Sequence, residues 1–139
     1  MIKEIISSIS DALHKAFGAD IDVYKEQVEQ GLEAPCFLIR CLEPSMNRDL
    51  NHRFKKSILF SIQYFPETDK KQDECTEALE KLFDIMADLP YDGKVIHGGN
   101  MNGEITDGVL TFTISYEMFM LKYSKPAPTM DDLKVSEKG

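Results

Sequence analysis

Residues His52–Phe65 read HRFKKSILFSIQYF, and their side chains sort by alternation. Phe54, Ile58, Phe60, Ile62 and Tyr64 fall on one side of an extended chain, and Lys55, Ser57, Ser61 and Gln63 on the other. This is the period of a strand with one face on a core and one toward water. The stretch VLTFTISYEMFMLKY, Val109 to Tyr123, repeats the pattern: Leu110, Phe112, Ile114, Tyr116, Met118 and Met120 oppose Thr111, Thr113, Ser115 and Glu117. Both long strands are expected in one sheet, the second antiparallel to its hairpin partner.

Working outward, Ile2, Ile5, Ile6, Ile9, Leu13, Ala16 and Phe17 lie in one arc of a helical wheel, which predicts a helix over residues 2–17 stopped by Gly18. Ile21 to Lys25 alternates as a short strand. PCFLIRCLE gives a further strand ending at Pro44, followed by a polar connection into the long strand. Pro66 ends that strand, Thr68 or Asp69 supplies a cap, and residues 70–89 form a second helix. After a turn at Asp92-Gly93 another strand starts at Lys94, and Gly98-Gly99, Asn102-Gly103 and Asp107-Gly108 read as turn or bulge dipeptides. The expected class is α+β: an antiparallel or mixed sheet of about five strands, in the order α-β-β-β-α-β-β. Residues 1–123 form the domain and 124–139, with Pro126 and Pro128, a C-terminal arm.

A chain of 139 residues, 42% hydrophobic and 29% charged, can bury one core unaided by metal or disulfide. Lys3, Glu4 and Asp11 interrupt the first apolar residues, so a signal peptide is not expected, and no run is long enough to span a bilayer. A cytosolic setting follows as the expectation. Cys36, Cys41 and Cys75 are an odd number without metal-ligand spacing, and the first two lie on opposite faces of one strand, so all three read as buried thiols. A net charge of -8 argues against a protein whose task is to grip nucleic acid, since that requires cations to neutralise phosphates.

The residues display no catalytic or cofactor constellation. His14, His52 and His97 sit in three separate elements, and no HExxH or CxxC pattern gathers ligands. HGGNMNG, His97 to Gly103, lacks the Lys and Ser/Thr of a phosphate loop and leads into a strand, so it reads as a turn.

Charge is unevenly placed. Arg48, Arg53, Lys55 and Lys56 make the tip of the first long hairpin basic, a candidate contact with another subunit or a partner. Asp73, Glu77, Glu80, Asp84 and Asp88 form an acidic stripe on the second helix, either a solvated face or a negative surface beside a DNA path. From Pro66 to Asp92 nine acidic residues face three lysines, so this segment carries -6 of the net -8. In the arm, Met130, Leu133 and Val135 are an apolar set too small to bury itself; it folds back or docks on a neighbour.

FSIQYFPE at Phe60–Glu67, placed before an acidic helix, and DGVLTFTISYEMF at Asp107–Phe119, behind PCFLI at Pro35–Ile39, together resemble the phage tail terminator family of prophages and phage-tail-like particles in Gram-positive bacteria. The resemblance covers most of residues 1–123. It implies a small α+β structural protein, with no reaction and no cofactor, that forms a ring, expected as a hexamer, on the head-proximal end of a tail tube. Its implied partners are its own copies, the tube protein, the sheath protein in a contractile tail, and a neck or head connector. DNA would pass through the ring without specific binding, and no membrane is involved. Assembly would occur in the bacterial cytoplasm. Two rival readings stand beside it: another neck or tail-completion protein of the same particle, and a ligand-binding regulatory domain in which the Gly98–Gly108 segment closes as a loop over a small molecule.

Overall fold

The computed structural model describes residues 2–25, 33–48 and 53–121. In chain order the elements are α1 (Ile2–Phe17), β1 (Asp22–Tyr24), β2 (Cys36–Arg48), β3 (Arg53–Phe65), α2 (Lys71–Met86), β4 (Asp88–Tyr91), β5 (Lys94–Thr106) and β6 (Val109–Leu121). They build one six-stranded sheet, ordered β1-β2-β3-β6-β5-β4. β1 runs parallel to β2 and every other pairing is antiparallel, so the sheet is mixed and the α+β class holds.

The two long alternating stretches lie side by side at the centre, in continuous register from Arg53↔Leu121 to Tyr64↔Leu110. Register places directly opposed residues on one face. Ile58, Phe60, Ile62 and Tyr64 therefore share a face with Leu110, Phe112, Ile114 and Tyr116, and all eight are buried. Both helices cover that face. Phe17 of α1 meets Phe37 of β2 edge-on at 4.8 Å, and Phe83 of α2 meets Phe112 at 5.6 Å. Ile5, Ile9 and Leu13 of α1 and Cys75, Ala78, Leu82 and Met86 of α2 complete the core.

Neither helix covers the other face, yet its centre is closed. Ser61 is 2% and Ser115 8% exposed. Ser57 Oγ and Ser115 Oγ share a 3.2 Å hydrogen bond, and Gln63 Nε2 donates to Thr111 Oγ1 at 3.3 Å. The face expected to meet water is thus a laterally bonded polar layer.

α1 ends as its sequence requires: Gly18, at φ 121, donates its N–H to His14 O at 3.0 Å. The bounds expected for β2 and α2 are corrected. β2 does not stop at Pro44 but continues to Arg48. β1 covers only Cys36–Leu38, so Pro44 stands on a strand edge, where its missing N–H is tolerated. The bulge between Cys41 and Glu43 absorbs one extra residue. Helix α2 spans Lys71–Met86, not 70–89, and residues Asp88–Tyr91 form an additional edge strand, raising the count to six.

Pro90 has no N–H to give Met86 O within the helix, and the last two carbonyls are taken up from outside it. Tyr116 Oη, fully buried, donates to Met86 O at 2.7 Å, and Gly98 N–H donates to Ala87 O at 2.8 Å. A Cβ on Gly98 would come within 2.4 Å of Ile114 Cδ1 and 3.1 Å of Met86 O, so the close approach requires glycine. HGGNMNG is correspondingly no turn but the middle of β5, with a register shift between Gly99 and Asn102. The true turns are Asp92-Gly93 (φ 53, 73) and Asp107-Gly108 (φ 53, 76), both left-handed pairs that suit tight hairpins.

Tyr116→Phe leaves the Met86 carbonyl without its buried donor and is expected to lower unfolding stability by about 1–3 kcal/mol in a denaturant titration, at unchanged m-value.

Candidate assembly interface

The basic residues predicted as one cluster are distributed by the strand. Lys55 and Lys56 are neighbours in β3 and so project to opposite faces. Lys55 lies on the polar face, where its Nζ is 3.6 Å from Glu117 Oε2, and both side chains are over 40% exposed (42% and 44%). Such a solvated pair contributes little. Lys56 lies between Met46 and Met118 in register, on the helix side of the sheet. The backbones of Arg48 and Arg53 close the described ends of β2 and β3, next to Phe54 and Leu121 in register. Residues 49–52 of the expected tip lie outside the described residues, as do Met130, Leu133 and Val135.

Around this end of the sheet Leu42, Met46, Val95 and Phe119 are exposed to between 45% and 57%. The upper part of β2 is exposed from Leu42 through Met46 on both faces, so the hairpin projects past the helices. Exposed apolar side chains beside cations are the composition of a partner surface rather than of a solvated strand.

The acidic stripe divides. Asp73, Glu77, Glu80 and Asp84 are exposed along α2 and make no ion pair among the described residues. Asp88 does not belong to the helix: it begins β4, and its Oδ1 accepts from His97 Nδ1 at 2.7 Å. The wheel placed it with the others only because the helix was read three residues too far.

Glu74 has a different task, which the stripe concealed. Its carboxylate accepts from Tyr64 Oη (2.6 Å), Glu67 N–H (3.0 Å), Thr68 N–H (3.0 Å) and Thr68 Oγ1 (2.7 Å). It organises the link from β3 into α2, replacing the expected Thr68 or Asp69 cap; the residue at the N-cap, Lys70, makes no side-chain capping bond. Burial acts to raise the Glu74 pKa, but hydrogen bonds from Tyr64, Glu67 and Thr68 outweigh it and hold the carboxyl at about 2. Burial, and then the bond to Glu74, push the Tyr64 hydroxyl well above its ordinary range. A first-turn glutamate after a Thr-Asp turn was the available sequence signal.

Arg40 was also missed. It sits opposite Ser61 on the polar face, and its Nε is buried without a hydrogen-bond partner. Periodicity marks a charged residue between Ile39 and Cys41 only as outward-facing.

Two of the three cysteines read as buried thiols are buried, and Cys41 departs from that expectation. Cys36 and Cys75 are fully buried and Cys41 partly so; burial raises all three thiols, Cys36 to about 11. Among the described residues no group of three or more His, Cys, Asp or Glu is placed to hold a metal ion, and no helix is long and apolar enough to cross a membrane. The segment from Gly98 to Gly108, offered as a loop over a ligand, is most of β5 plus its turn and is held in the sheet.

Fold and surface together define a small α+β protein whose distinctive chemistry lies on its outer faces. The family described as phage tail terminator protein matches the chain over residues 4–128, and the chain belongs to that family. It is a structural component of phage tail assembly, interacting with other tail components. No curated protein shows significant similarity to it.

Because the Glu74 pKa is depressed on folding, its stabilisation is complete above the unfolded value of about 4.3 and is lost as pH falls toward about 2. Glu74→Gln is expected to lower the melting temperature at pH 7 and to flatten the acid limb of a melting-temperature profile between these values.

Proposed function

We propose that the protein forms a closed ring, a hexamer, that caps the head-proximal end of the tail tube. The ring stops tube polymerisation, and sheath polymerisation where the tail contracts, and presents its other side to the neck or head connector. The same capping role serves a phage virion or a headless tail-like particle. Family membership carries this reading. The charge distribution supports it: an acidic face on α2, without an ion pair among the described residues, and a projecting basic, partly apolar hairpin are two different surfaces on one subunit. Joining unlike surfaces head to tail gives a heterologous contact, which closes into a ring when the rotation closes. Arg48, Arg53, Lys55 and Lys56 form the basic side of the contact. Asp73, Glu77, Glu80 and Asp84 meet it or line the passage, where their repulsion keeps DNA from adhering. Asp88, tied to His97, stands apart from them.

Light scattering across a concentration series, with electron microscopy of the protein mixed with its tail tubes, tests the reading. The expected result is a ring seated at one end of each tube, with an association constant that falls as salt rises. A species that remains monomeric and ignores tubes at every concentration contradicts it. Charge reversal by Arg53→Glu, Lys55→Glu and Lys56→Glu together is expected to abolish ring formation while leaving the far-UV dichroism unchanged; assembly that proceeds unaltered removes the hairpin from the interface.

A further inference from the structure

A groove of about 480 Å³ runs along the outer side of the helix layer, between α1 and the end of α2 with β4. Ala12, Ala16, Ile85 and Pro90 give it an apolar floor, and Asp11 and Lys15 stand on its α1 wall. It lies at β4, three strand positions from β3, and the assembly reading does not use it. An open apolar groove of this kind is a seat for a short extended segment carrying a few apolar side chains.

We infer that this groove is the seat of the chain's own C-terminal segment, Met130 to Val135. The sequence there is MDDLKV, three apolar residues interleaved with Asp131, Asp132 and Lys134. Met130, Leu133 and Val135 match the apolar floor. Asp131 and Asp132 complement Lys15, and Lys134 complements Asp11.

The position of the chain end selects the same copy over a neighbour. Pro90 pairs with Val95, three residues before Gly98, and Gly98 lies opposite Tyr116. β6 runs on from Tyr116 to Leu121, so the last described residue and Pro90 lie at the same end of the sheet. β6 and β4 are separated by one strand, hence by about 10 Å laterally, and the packed layer above adds about 10 Å more. The nine steps from Leu121 to Met130 span up to about 30 Å when extended, which covers that path. The family match ends at residue 128, so the groove lies within it and the segment proposed to fill it lies beyond it.

The chain contains no tryptophan, and Leu133→Trp therefore places a single indole reporter in the segment of the full-length protein. The expected result is blue-shifted emission shielded from iodide, unchanged on dilution into the range where scattering gives a monomer. Ala16→Lys in the same background is expected to return the emission to that of indole in water, with unaltered far-UV dichroism. Ala12→Lys and Met130→Trp serve as the second groove and reporter variants. Solvent-like emission from both reporters overturns the inference, as does a blue shift that survives both groove variants. A blue shift lost on dilution in step with the scattering mass also overturns it, assigning the seat to another copy. The reading is made on the monomer, so failure of ring formation leaves its outcome intact, and failure of the seat leaves the ring untouched.

Discussion

The register between β3 and β6 is the constraint on which everything else depends. It runs without a bulge from Arg53↔Leu121 to Tyr64↔Leu110, and a slip of one residue would carry every buried aromatic of either strand to the opposite face. Fixed there, Phe60, Phe112 and Tyr116 form one apolar floor for both helices, while Ser57, Ser61, Thr113 and Ser115 form the polar layer behind. Tyr116 extends this control beyond the sheet, because its hydroxyl takes up the Met86 carbonyl at the end of α2. The end of α2 in turn releases Asp88–Tyr91 to pair with β5 as the last strand.

The two ends of α2 are held by different chemistry. At its start a single carboxylate, Glu74, gathers four donors from Tyr64, Glu67 and Thr68 and ties the helix to the end of β3. At its finish a neutral hydroxyl and a glycine N–H take the last carbonyls. The acids left over along the helix, Asp73, Glu77, Glu80 and Asp84, have no structural partner among the described residues and stay available to an external one. An assembly protein needs such a division, since side chains spent on internal structure cannot recognise a neighbour.

The projecting hairpin follows from length. β2 and β3 are each thirteen residues, longer than the helices can roof, so their far halves carry exposed Leu42 and Met46, with Lys56 opposite Met46 and Lys55 opposite Asn47. Extending a rigid sheet is an economical way to hold contact residues away from the body of a subunit, because the ladder keeps them ordered.

The period-two alternation of Phe54–Tyr64 and Leu110–Met120, and the period-3.6 arc from Ile2 to Phe17, depend on neighbours along the chain, so the long strands, the first helix and the α+β class were readable directly. The strand passing through Pro44, the capture of the Met86 carbonyl and the strandedness of HGGNMNG were not, because each depends on a distant partner. Pro44 is allowed by an edge that exists only once β1 is placed. The Met86 carbonyl is taken up by Tyr116, and Gly98 is decided by the nearness of Ile114 and Ala87. The interface residues divide in the same way. Charge pattern alone singled out Arg48 to Lys56 and Asp73 to Asp84. Only tertiary structure turned Lys55 and Lys56 to opposite faces, moved Asp88 onto a strand beside His97, and left the Arg40 Nε buried without an acceptor, since these depend on which backbone lies across the ladder.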